Sequence, residues 1–146
     1  MIKNQKIGFW AYAVVAVLAI VCLGLYIANV NQPYYQDMNQ NVVYAMVGAL
    51  VCTAVALVLP AVSDKGVLKI IADIARVVGA ALIILAGATF IGMRVESFGY
   101  IYGSNLELGN DAAFTAGNQA IWTIVIFVVT WIISVVAAFL PTGKKA

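Results

Sequence analysis

Four apolar stretches, each near the length that crosses a bilayer, limit what this chain can fold into more than any other feature. The first runs from Ile7 to Val30 without a charge. As a helix rising 1.5 Å per residue it is about 36 Å long, against a hydrocarbon core of about 30 Å. Lys3 and Lys6 precede it, as they would a signal peptide, whose apolar core is only about 7–15 residues long. No A-x-A-like site closes the run, so it is expected to stay as a span. The others run from Val42 to Val62, from Val67 to Met93 and from Ala120 to Leu140. In the third, Lys69, Asp73 and Arg76 fall in the first turns. Its uncharged part, Val77 to Met93, sits at the lower limit of about 17 residues for a span. Pro141 closes the fourth, because proline cannot extend a helix without losing a hydrogen bond. Asn110 or Asp111 offers a cap for an earlier start to that helix.

Helices fit these runs better than barrel strands. Barrel strands alternate apolar and polar residues, whereas these runs are apolar all round. A helix satisfies its own backbone in lipid. The expected fold is therefore all-α, a polytopic integral membrane protein with four transmembrane helices in one bundle. The chain forms a single membrane domain over 1–146, with outer loops at 31–41 and 94–119. The composition agrees: 64% of residues are hydrophobic, 10% are charged, and the mean hydropathy is +1.02. A soluble domain of this length could not hide so much apolar surface.

Charge sets the expected orientation. Lys3, Lys6, Lys65, Lys69, Arg76, Lys144 and Lys145 lie on one side of this map, with Asp64 and Asp73. The other side holds Asp37, Glu96, Glu107 and Asp111 against the single base Arg94. Cytoplasmic segments carry the excess of lysine and arginine, so both termini are expected to be cytoplasmic. Trp10 and Tyr12 fall near the inner interface, and Tyr34, Tyr35, Tyr44 and Trp122 near the outer one, where aromatic belts form. No N-glycosylation sequon occurs in either outer loop, which agrees with a bacterial-type plasma membrane.

Several chemistries are excluded or disfavoured. The chain has no histidine, so imidazole metal sites and histidine acid–base catalysis are absent. Cys22 and Cys52 lie inside apolar runs and read as small packing residues. No basic stripe with interleaved aromatics points to nucleic acid. No glycine pattern cradles phosphate. An enzyme is not expected, and neither a cofactor nor a metal is implied. Outer carboxylates could do acid–base work, but no spacing rule pairs them.

Three sets of residues remain as candidates. In the outer loop, Glu96, Phe98, Tyr100, Tyr102, Glu107 and Asp111 stand among glycines and form a candidate interaction surface. The bland alternative is an aromatic cluster resting on lipid headgroups. We expect this loop to be ordered and packed on the helix ends. Near the inner end, Asp73 and Arg76 are three apart on one helix face and form a candidate ion pair. On the fourth span, Thr123, Thr130 and Ser134 form a stripe for helix packing or for a water path. Small residues also recur on the second span (Ala45, Ala49, Cys52, Ala56) and the third (Ala72, Gly79, Ala86, with Ala80 and Gly87). Small faces let helices approach, within one bundle or between copies.

Other four-span families carry motifs that this chain lacks. It has no Cys-Cys-Gly like the tetraspanins, no glutamate in its first span like the small multidrug transporters, and no C-x-x-C like relatives of vitamin K epoxide reductase. Its topology is similar to that of MARVEL-type proteins, a likeness of span number and shared side of the termini that carries over to no residue. The expected function is assembly, with itself or as an accessory subunit of a membrane complex. The alternative is a subunit of a channel or transporter for a small solute. The bilayer and another membrane protein are the expected partners, and no small-molecule ligand is specified.

Overall fold

The computed structural model describes residues 5–63 and 65–142. Lys3, Asp64, Lys144 and Lys145, used above for orientation, lie outside the described residues. Four helices follow one another: α1 (Ile7–Val30), α2 (Gln40–Val62), α3 (Gly66–Tyr102) and α4 (Asp111–Phe139). All four are long and apolar enough to cross a membrane. Each packs on its neighbours in sequence, and α4 returns to α1, so the bundle is a closed ring. The α2–α3 contact is the most extensive.

The helices are oily on all sides, so packing cannot be driven by a polar outer face. Within the most apolar part of each helix, 33% of residues are buried in the bundle. The rest present Val14, Val17, Val51, Val58 and Leu85 outward, as a lipid-facing surface requires. Small residues turn inward. Ala45, Ala49 and Ala56 on α2 and Ala72, Gly79 and Ala86 on α3 are all buried. A Cβ at Gly79 would stand 3.2 Å from the Cβ of Cys52, so glycine lets the two backbones close up. These small-residue faces pack within one chain.

Two apolar clusters fill the interior. Around the middle and one pole, Cys22, Tyr26, Met46, Phe90 and Phe127 pack together, with Tyr26 edge-on to Phe90 at 5.4 Å between centroids. Toward the other pole, Tyr12, Val15, Ile83 and Ala137 do the same. The second pole holds the described ends of the chain, where the Gly8 amide donates to the Pro141 carbonyl at 2.9 Å. It also holds the α2–α3 link; we call it the terminal pole. The opposite one, formed by the α1–α2 and α3–α4 links, is the cap pole.

At the cap pole the structure departs from the sequence expectation. The segment 94–119, read as a loop, is mostly helix. α3 continues through Tyr102 and α4 starts at Asp111, leaving only 103–110 as a connection. A charge at Arg94 suggests the end of a span, yet it does not end a helix. Glycine and aromatics only weaken helix propensity by tenths of a kcal/mol to about 1 kcal/mol each. Local contacts offset this: Tyr100 donates to Glu96 one turn earlier at 2.5 Å, and Ser97 donates to the Arg94 carbonyl. Asn110 caps α4 by accepting from the Ala113 amide at 3.3 Å.

Candidate functional site

The cap pole is built around Arg94. Its side chain is fully buried, with 0% exposure, although a charge at the end of a span is expected to reach the headgroups. Asp37, from the strap between α1 and α2, takes both ends of the guanidinium, at 2.7 Å and 3.1 Å. Asn29, in the last turns of α1, accepts from Nε at 2.8 Å. The Tyr35 ring lies 3.6 Å from the guanidinium carbon and Phe90 lies 5.0 Å from it. A buried charge is tolerated only when paired and hydrogen-bonded, and here each of the three guanidinium nitrogens donates a hydrogen bond.

The pair ties four elements together. Asn29 also donates to the Ala116 carbonyl and the Gln119 side chain of α4, both at 3.0 Å. Gln32 donates to the same Gln119 oxygen. Tyr35 bonds Ser97 of α3; since Ser97 gives its proton to the Arg94 carbonyl, Tyr35 is the donor. Tyr26 clasps the backbone of Asn39, donating to its carbonyl and accepting from its amide. The strap can turn down onto Arg94 because Gln36 adopts φ +51°, a left-handed conformation that costs a non-glycine residue about 1 kcal/mol or more.

Beside this pillar opens a cleft of about 400 Å³, lined by Tyr34, Tyr35, Asp37, Met93, Glu96, Ser97, Tyr100 and Glu107. Asp37 is neutralised by Arg94. Glu96 and Glu107 hold neutral partners: Tyr100 for the first and Asn110 for the second. Burial, then the hydrogen bond to Glu107 and its charge, push the Tyr34 hydroxyl above its ordinary pKa. In the 103–110 connection the usual pattern is inverted. Glu107 is half-buried toward the cleft, while Leu106 and Leu108 point outward at 73% and 77% exposure.

No family model, curated protein or solved structure matches the chain. Of the six outer residues singled out in the sequence, Glu96, Tyr100 and Glu107 meet at the cleft. Phe98 and Tyr102 do not. Tyr102 packs between Phe98 and Phe114 at 6.0 Å and 5.9 Å and donates to Asn118, so these rings form a seam between the extensions of α3 and α4. Asp111 is exposed in the first turn of α4, where a carboxylate complements the helix dipole. Among the described residues, no three His, Cys, Asp or Glu side chains gather closely enough to hold a metal ion.

Sequence reasoning missed Asn29, Asp37 and Gln119 as parts of the site. A signal existed for Asn29, and for an acid partner of Arg94 without saying which acid. Asn29 is a carboxamide inside a long apolar run, and Arg94 is the lone base among acids, which calls for a nearby acid. The choice of Asp37 needs the fold.

The other candidates fall elsewhere. At the terminal pole, Asp73 pairs with Lys69 at 3.0 Å, and Arg76 stands 3.9 Å away. Arg76 turns instead to the end of α4. It reaches the Ala138 and Leu140 carbonyls at 3.4 Å and the Thr142 hydroxyl, and lies over the Tyr12 ring. A cation there satisfies orphan carbonyls and complements the dipole. Tyr12 is buried within the bundle at this pole. Thr123, Thr130 and Ser134 are buried at 0%, 0% and 2% exposure. Each donates to a carbonyl of α4 itself, as hydroxyls in apolar helices do. Cys22 donates its thiol proton to Thr130, since that hydroxyl is already committed.

Proposed function

We propose that this chain is a non-enzymatic plasma-membrane protein, with both termini cytoplasmic, that works by assembly. In this reading it is an accessory subunit that holds a partner protein on the outer face of the cap pole. The observation that carries it is the inverted tip: Leu106 and Leu108 face out while Glu107 turns in. Leu106 and Leu108, on either side of Glu107 in a short, capped connection, offer apolar side chains for a partner to cover. They ride on helix extensions fixed by the buried Arg94 network, so the surface is preorganised and little ordering entropy is lost on docking.

Two features favour a partner over self-assembly through the helices. The small-residue faces of α2 and α3 are already occupied by each other. The hydroxyl stripe of α4 is packed and bonded within the chain. The test is a photo-crosslinking amino acid at Leu108, with one at lipid-facing Val58 as the control, in intact membranes. One defined protein adduct is expected from Leu108 and none from Val58. Equal, diffuse labelling from both positions rejects the reading.

A further inference from the structure

The cap-pole cleft combines three properties not required by packing. Its walls are aromatic, with Tyr34, Tyr35 and Tyr100 around it. Two carboxylates, Glu96 and Glu107, line it, and among the described residues their hydrogen-bond partners are neutral, Tyr100 and Asn110. Among the described residues the nearby cation is Arg94, which is fully buried and spent on Asp37. Among the described residues, the cleft thus carries two carboxylates without a cationic partner, and tyrosine rings in its lining. Glu107 is turned into it at the cost of leaving both neighbouring leucines outside.

Aromatic faces and carboxylates attract the same kind of group, an organic cation. A bare divalent ion needs several oxygens converging on one point, and the carboxylates here do not gather in that way. We propose that the cleft receives an arginine or lysine side chain of the partner protein, with Glu96 and Glu107 as its counter-charges and the tyrosine rings as its walls. Leu106 and Leu108, outside the rim, meet apolar residues that flank that base. This rests on the cap pole being the docking face and adds the chemistry by which it selects.

The test uses the purified full chain in maltoside micelles, with tyrosine ring signals followed by NMR. The probes are N-acetyl-arginine methylamide, N-acetyl-lysine methylamide and the neutral N-acetyl-norleucine methylamide. The two cations are expected to give saturable shifts at Tyr34 and Tyr100, and the norleucine compound none. Glu96→Gln and Glu107→Gln should each weaken cation binding roughly fivefold, the scale of one part-exposed ion pair. Raising the salt should weaken it further. Unchanged Tyr35 and Tyr26 signals would show that the Arg94 pillar is intact in these variants. Equal binding of the norleucine compound, no saturable shift, or affinity indifferent to both variants overturns the proposal. If the Leu108 adduct persists in the Glu96→Gln, Glu107→Gln double variant, the docking face stands and the cation chemistry fails. If the cations bind as expected but no adduct forms, the docking reading fails instead.

Discussion

At the residue scale the protein depends on one buried charge. Arg94 is shielded from solvent, while the Asp37 side chain is 39% exposed. Removing the acid strands the base in the core, and breaking a buried pair from one side costs about 3–5 kcal/mol. Water reaching the Asp37 side places Asp37→Asn at the lower end, about 3 kcal/mol. Arg94→Met leaves an acid that water can reach and should cost about 1–2 kcal/mol, mostly in lost hydrogen bonds. The double variant should be more stable than the sum of the two losses implies, with a coupling of about 1–3 kcal/mol. Unfolding in mixed micelles measures this cycle; strict additivity means the pair is not the pillar described. Arg94 also shows where sequence reasoning stops. Its residue type and neighbours were visible, but a charge at a span end reads equally as a headgroup contact. Only the strap bringing Asp37 down, and Asn29 one helix away, separate the two.

At the scale of elements, four helices were legible because apolar run length is a strong signal, and the start of α1 at Ile7 matches its run. The extension of α3 was not. Charged and glycine-containing sequence past Met93 resembles a loop, and the contacts that keep it helical are tertiary: Tyr35 on Ser97, and Tyr102 on Phe114 and Asn118. Amide exchange in nanodiscs is expected to be slow through 97–102 and 113–119 and fast only within 103–110. Fast exchange running unbroken from Glu96 to Asn118 would mean the extensions do not hold. The α4 end at the terminal pole obeys the same logic. Its last carbonyls face Arg76 from α3, and Gly8 admits the Pro141 carbonyl because a side chain there would collide with it.

For the whole molecule, the two poles are built differently. The terminal pole gathers the described bases Lys6, Lys65, Lys69 and Arg76, and fastens the ends of α1 and α4 to each other. The cap pole gathers acids, tyrosines and exposed leucines around the ion pair of buried Arg94 with part-exposed Asp37. The grouping of the links at shared ends follows from the ring of helices. Which end faces out is an argument from lysine asymmetry, and the proposed docking and cation chemistry both require the cap to be outside. The decisive measurement is thiol labelling of intact cells with a membrane-impermeant maleimide, using Ser104→Cys and Lys65→Cys in a chain carrying Cys22→Ala and Cys52→Ala. The account predicts that the thiol at 104 reacts in intact cells and the thiol at 65 reacts only after lysis. The reverse pattern would put the cap in the cytoplasm and contradict it.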